Sequence, residues 1–447
     1  MSIANVVTLR PNDFAPSVLK SAKVLLLQGP IGPFFRALQD KLNANGFDAW
    51  RVNFNAADRL HSGRKKTLNF KSAPSDFERW LTELLMTMDF QAVIVFGATK
   101  PIHKIARLLC HRMSIPVISL EEGYVRPGYV TVEPSGNNAE SPLAGLLPTN
   151  GVVLRALPHN PNAISSSSVM GRYATLYYIC HGLFSTKHEK ALFHKPERTR
   201  LVSEFCCWIR NGVRKYTNQH HNSQVLEKLL ESFDRKFFLV PFQVSDDGQL
   251  CSNASNGWSN ETLAMKAIES FARICPKKYR LVFKIHPHER GHTTLPSLVA
   301  RLAHMHGVSD RVDVMDSGSL GLLTKHSAGM ITINSTAGLS AIFHGIPLAV
   351  LGLAIYRNDS LATIIENAND IDEFWTTKHV ASAAHRRNYL AWLRSNCLVE
   401  GDYYLEDQID PTAEAVFAKC KDIIESRSYK EPNILMLPLA SRVASNA

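Results

Sequence analysis

The chain has 447 residues, of which 45% are hydrophobic and 20% charged. That length exceeds a single core, which stops growing near roughly 250–300 residues, and the composition excludes a disordered chain or a coiled coil. Fifty Lys and Arg against forty Asp and Glu leave a net charge of +10, a balance that points to an anionic partner without specifying its class.

Met1–Lys20 has no apolar stretch of the kind a secretory leader needs, so the chain is expected to stay in the cytoplasm. The most apolar runs, at 23–28, 92–97 and 346–355, fall far short of the roughly 18 residues that span a bilayer. Eight cysteines without a Cys-x-x-Cys pair read as reduced, mostly buried thiols, and no metal-ligand spacing appears.

The first 135 residues alternate strand and helix signals. Strands are expected at 23–28, 48–53, 92–96 and 116–120, with helices at 34–45, 76–88 and 102–114; Gly46 stands where the first helix must stop. Short, continuously apolar strands separated by helices indicate a parallel sheet covered on both faces. Residues 140–235 differ: a loop is expected at 160–169 and helices at 172–183 and 199–216. His181–His221 carries eight Lys/Arg against three Glu, half of the chain's basic excess, beside Phe193 and Trp208. The strand–helix alternation restarts near 236, with strands at 236–240, 280–285, 311–315, 329–333 and 347–351 and helices at 261–274, 294–306, 319–326 and 336–344. The organisation expected is therefore α/β: a Rossmann-like domain over 1–139, a helical basic insert over 140–235, a second Rossmann-like domain over 236–400 and a tail over 401–447. Ligands of such sheets sit beyond the carboxyl ends of the strands.

Five strand-end motifs could carry chemistry. Gln28-Gly29-Pro30 precedes a helix whose N-terminus could hold an anion, or is a simple turn. Glu121-Glu122-Gly123 offers two carboxylates pointing in different directions: one can work as a general acid or base in a cleft while the other pairs with Arg126, or both are surface acids. Gln243 to Gln249 holds Asp246-Asp247-Gly248, where a carboxylate could meet an electrophilic sugar carbon, or form an ordinary turn. Lys284-Ile285-His286-Pro287-His288-Glu289-Arg290 gathers cationic donors suited to a phosphate. Asn334-Ser335-Thr336 starts a helix with hydroxyls and free amides directed at a phosphate, or simply caps it.

Taken together, EEGYVRPGYVTVE (121–133), PFQVSDDGQ (241–249), FKIHPHERG (283–291), TINSTAGLSAIFHGIPLAVLGLAIY (332–356) and VEGDYY (399–404) resemble the capsule polysaccharide biosynthesis and export family of Gram-negative bacteria. The resemblance implies a GT-B glycosyltransferase that takes Kdo from CMP-Kdo, with retention, and places it on a (lyso)phosphatidylglycerol at the inner membrane to start a capsule linker. It implies Glu122 as acid/base, Asp247 as nucleophile, Lys284 and His286 (with Pro287 and Arg290) at the CMP phosphate, and Asn334, Ser335 and Thr336 at the nucleotide. Gln28, Gly29, Glu121, Arg126, Gln243 and Gln249 remain cleft candidates. Family members commonly show HHPMDRG, whereas Ile285 precedes His286 here and His288-Glu289 follows Pro287. The partners implied are a CMP-sugar, a phospholipid, the inner-membrane surface and the capsule export machinery, with no nucleic acid. No metal is expected, since CMP leaves without a diphosphate to neutralise. A sialyltransferase-like transferase, a sugar-nucleotide epimerase and a non-catalytic export accessory protein are the alternatives.

Overall fold

The computed structural model describes residues 22–63, 65–125, 127–148, 165–191, 201–245, 248–254, 257–376 and 379–426. Met1–Lys20, Arg126, Phe193, Lys195, Arg198, Arg200, Asp246 and Asp247 lie outside them, as do residues 160–164 of the expected loop.

The first sheet is built from β1 (Lys23–Leu26), β2 (Asp48–Asn53), β3 (Thr67–Asn69), β4 (Ala92–Phe96), β5 (Val117–Glu122) and β6 (Tyr129–Pro134). Helices α1 (Phe34–Ala44), α2 (Ala56–Leu60), α3 (Phe77–Met88) and α4 (Pro101–Arg112) connect them. The α1 stripe of Phe34, Phe35, Leu38 and Leu42 is buried, and Gly46 ends the turn after it at φ +88°, a conformation that glycine adopts without Cβ strain. The parallel strands run β3-β2-β1-β4-β5, the order of a Rossmann half. β6 then returns antiparallel along β5, pairing Glu121 with Thr131 and Glu122 with Val130.

Four helices follow: α5 (Ser167–Phe184), α6 (Lys187–Ala191), α7 (Leu201–Thr217) and α8 (Gln219–Ser232). Residues 167–169, expected in a loop, form the first turn of α5. The basic insert divides between the two domains. Tyr177 of α5 reaches into the first domain to bond Asn55 and Asp58, and buried Glu189 of α6 pairs with Arg59. In contrast, α7 and α8 hold the second domain.

That domain contains β7 (Phe237–Pro241), α9 (Gly248–Asn253), α10 (Asn260–Ile274), β8 (Arg280–Lys284), α11 (Leu295–Met305), β9 (Val312–Met315), α12 (Leu320–His326), β10 (Gly329–Thr332), α13 (Ala337–His344), β11 (Leu348–Val350) and β12 (Thr363–Ile364). All six strands are parallel, in the order β12-β11-β10-β7-β8-β9. A capping box at Ser259 and Thr262 starts α10 by satisfying orphan amides of its first turn.

The chain then crosses back. After α14 (Ile371–Phe374) and α15 (Ala383–Cys397), β13 (Leu398–Glu400) pairs antiparallel with β6. The segment that reads as a tail in the sequence contains α16 (Ile409–Glu425), whose Val416, Phe417 and Cys420 join Phe35, Leu38 and Leu42 in the first domain's core. Its apolar residues recur at helical spacing, and the uncovered face of α1 is what they bury. Two Rossmann-like domains thus face one another, the GT-B arrangement. Among the described residues no helix is long and apolar enough to cross a membrane.

Candidate active site

A cleft of about 1530 Å³ lies between the domains. Of the residues singled out in the sequence, Glu121, Glu122, His286 and Pro287 line it. Ser245 and Gly248, the sequence neighbours of Asp246-Asp247, both line it. Gly248 abuts the first domain so closely that a Cβ there would come within 2.2 Å of Thr99 Oγ1.

On the first-domain side, β5 ends on the two carboxylates, which alternate across the strand. Their turn requires glycine at 123, where a Cβ would lie 2.1 Å from the Tyr129 carbonyl oxygen. Tyr404 Oη donates to Glu122 Oε1 at 3.2 Å, and Thr131 Oγ1 donates to the Glu122 carbonyl at 3.1 Å. Tyr403, edge-on to Phe34 and Phe96, donates to the Glu121 carbonyl. The Val399–Tyr404 block therefore shapes the site from the far end of the chain. Its quoted motif was visible in the sequence, but its role was not, because nothing local links residues 122 and 404.

On the second-domain side, the His288 amide donates to His286 Nδ1 at 3.2 Å. A ring accepting at Nδ1 carries its proton on Nε2 and can donate from there. The His286 and His288 rings stack at 5.2 Å, and Trp208 of α7 stands edge-on to His288 and His292. Glu289, buried, accepts from Ser245 Oγ at 3.1 Å, which ties the His-Pro loop to the loop after β7. The α7 helix holds the His-Pro loop from behind. Asn211 Nδ2 donates to the Pro287 carbonyl, Arg214 Nη1 to that of Arg290, and Arg210 Nε to that of Gly291. Gly291 permits this approach, since a Cβ would sit 2.1 Å from the Cys207 carbonyl oxygen.

The other candidates are placed elsewhere. Arg290 belongs to a separate recess of about 170 Å³ that Asp316 also lines, and Lys284 is buried outside the cleft lining. Arg290 bonds Asn211 and the Asp316 carbonyl. Burial, reinforced by Arg290, holds the Lys284 ammonium down to about 8, with Asp316 opposing. Gln243, Asn334 and Gln249 are buried in one network: Gln243 Nε2 donates to Asn334 Oδ1, the Asn334 amide to Gln243 Oε1, and Asn334 Nδ2 to the Gln249 carbonyl. Ser335 Oγ accepts from the Ala337 amide, and neither Ser335 nor Thr336 lines the cleft. Gln28 is buried with Asp58 and Tyr177, and a Cβ on Gly29 would meet the Phe35 ring at 2.4 Å. The close approach that Gly29 permits is thus to a phenylalanine, and this motif builds the α5 anchor. Among the described residues no group of three or more His, Cys, Asp or Glu could hold a metal ion.

The family described as "Capsule polysaccharide biosynthesis protein" matches residues 91–404. The chain is 31% identical over 392 residues to the Escherichia coli capsule polysaccharide export protein KpsS, covering 87% of this chain and 98% of that one. It is 30% identical over 369 residues to the capsule polysaccharide modification protein LipB of Neisseria meningitidis serogroup B, covering 80% and 86%. Among solved structures, Thermosulfurimonas dismutans KpsC, a beta Kdo 2,7 transferase, aligns with a TM-score of 0.41 at 13% identity over 89% of this chain and 99% of that one. UDP-GlcNAc 2-epimerase from Neisseria meningitidis aligns with a TM-score of 0.33 at 11% identity, over 84% and 98%.

Proposed function

The chain belongs to the capsule polysaccharide biosynthesis protein family, and from that premise we propose that it is a glycosyltransferase moving Kdo from CMP-Kdo to a (lyso)phosphatidylglycerol at the cytoplasmic face of the inner membrane. One observation carries the reading: Glu122 from one domain and His286 from the other line the same interdomain cleft. A scaffold has no need to bring a held carboxylate and an oriented imidazole together.

In this reading CMP-Kdo lies across the cleft with its phosphate near His286. The Asp247 carboxylate attacks the anomeric carbon as the bond to the CMP oxygen breaks. The electron pair leaves on the phosphate, and the Nε2–H of His286 stabilises the developing charge. The acceptor hydroxyl then displaces Asp247 from the same face CMP left, and Glu122 takes its proton. Two inversions give retention.

The test is incubation of the purified protein with CMP-Kdo and a fluorescent lysophosphatidylglycerol, read by mass spectrometry. A Kdo adduct is expected. Transfer only from another nucleotide sugar would overturn the donor assignment, and absence of transfer from any donor would return the protein to an export accessory role.

A further inference from the structure

The outward faces of α5 and α7 have no partner within the described chain. On α7, Phe205, Ile209, Val213 and Tyr216 are more than half exposed. They recur every three or four residues and so share one stripe. The opposite stripe, Glu204, Cys207, Asn211 and Arg214, faces the His-Pro loop. On α5, Leu176, Ile179 and Leu183 repeat the pattern, and Phe184 is 70% exposed.

The charges around these stripes have one sign. Between residues 165 and 226, the described acids are Glu189 and Glu204; both are buried, and they pair with Arg59 and His292. Arg172, Lys187 and Lys215 are exposed. Arg210, also exposed, and half-buried Arg214 donate to the carbonyls of Gly291 and Arg290. Among the described residues of α5, α6 and α7, the surface therefore combines aliphatic and aromatic groups with flanking cations and no exposed carboxylate, the composition of a helix lying in a membrane interface. Ser167 and Met170 of α5, and Ser203 and Cys207 of α7, line the cleft, so these helices border its mouth.

We propose that the exposed faces of α5 and α7 are a docking surface for an anionic lipid bilayer, which sets the cleft mouth beside the membrane. The assignment rests on the lipid-acceptor reading above and gives it a place on the molecule. An anionic bilayer fits better than a protein partner because the exposed charges among the described residues of α5, α6 and α7 are positive and the stripe offers area without a fixed pattern of hydrogen bonds.

The full chain is floated with vesicles of phosphatidylcholine alone, with added phosphatidylserine, and with added phosphatidylglycerol. Binding to both anionic compositions, weakened by salt, and little binding to the neutral one are expected. The variant Phe205→Ser/Ile209→Ser/Val213→Ser should lower partitioning at least about tenfold. Lys187→Gln/Lys215→Gln should lower it on the order of 30-fold at low salt. Both variants should keep the wild-type melting temperature and transfer to a water-soluble short-chain acceptor. Anionic flotation that persists and responds to these variants, with no glycosyl transfer from any donor, would sink the transferase reading and leave the docking surface standing. The docking proposal is overturned by absence of wild-type binding, by unchanged flotation of the triple-serine variant, or by binding confined to phosphatidylglycerol. A wild-type dimer that the triple-serine variant dissolves would also overturn it, since a second copy would then cover the face.

Discussion

At the scale of single residues, the candidate site depends on side chains whose partners are remote in sequence. Glu122→Gln keeps the shape but removes the base, and transfer should fall by about 10²–10⁴. Tyr404→Phe removes one hydrogen bond to Glu122; the loss of about 1 kcal/mol of positioning predicts a roughly fivefold fall in kcat, measured by steady-state kinetics. Lys284 gives a pH signature. Its folded value is about 8 and an unfolded lysine titrates near about 10.4. Between those values the unfolded chain binds the proton that the folded chain has lost, so this group's contribution to stability rises with pH, and its cost is full below about 8. Lys284→Met does not titrate there. Its stability relative to wild type, from urea unfolding, should therefore fall by about 2–3 kcal/mol as pH rises from about 7 to 10. The thiols divide by burial: Cys110, Cys275, Cys397 and Cys420 are buried, whereas Cys206 and Cys251 are exposed, fewer buried thiols than the sequence suggests.

At the scale of elements, α7 and α16 carry the most. The face of α7 that supports the His-Pro loop uses Asn211 and Arg214, residues that the sequence offers only as part of a basic run. Asn211→Ala leaves the Pro287 carbonyl without its bond and should raise the donor KM more than it lowers kcat, measured by steady-state kinetics with CMP-Kdo. α16 closes the first domain from the end of the chain. Val416→Asp places a carboxylate where the side chain is wholly buried; several kcal/mol of desolvation should leave the first domain unfolded, visible as lost near-ultraviolet circular dichroism. The strands with continuous apolar runs, β1, β4, β7, β8 and β10, are legible because their burial on both faces needs no knowledge of neighbours. β3, β12 and β13, two or three residues long, have no such signal, and β6 is antiparallel within a grammar that predicts parallel strands.

At the scale of the molecule, the two domains meet through an apolar cluster that includes Tyr124 and Tyr129 and through directional hydrogen bonds. Asn138, at φ +53°, donates from Nδ2 to the Asn334 carbonyl and accepts from the Ile355 amide. Behind it, buried Glu133 accepts from Tyr124, Asn137 and Ser141, and its burial pushes the carboxyl up despite those donors. Asn334 also bonds Gln243 and Gln249, so the interdomain bond and this buried network share one residue. Asn138→Ala loses both interdomain bonds and should cost about 2–3 kcal/mol in thermal unfolding.

The sequence by itself determined the parallel strands of the two sheets, the family, and the strand-end segments that supply Glu122 and His286, because apolar periodicity and short motifs are local properties of the chain. Tertiary structure alone decided which strand-end residues share the cleft and which are spent holding it. Gln28, Gln243, Asn334 and Arg290 are polar groups at the right places along the chain, but burial obliges each to find a hydrogen-bond partner, and those partners come from remote elements, as Tyr177, 149 residues away, does for Gln28. The same holds for the basic excess: its sign is read from composition, while the bonding of Arg210 and Arg214 to the His-Pro loop, and the turning of the apolar stripe outward, follow from what α7 packs against.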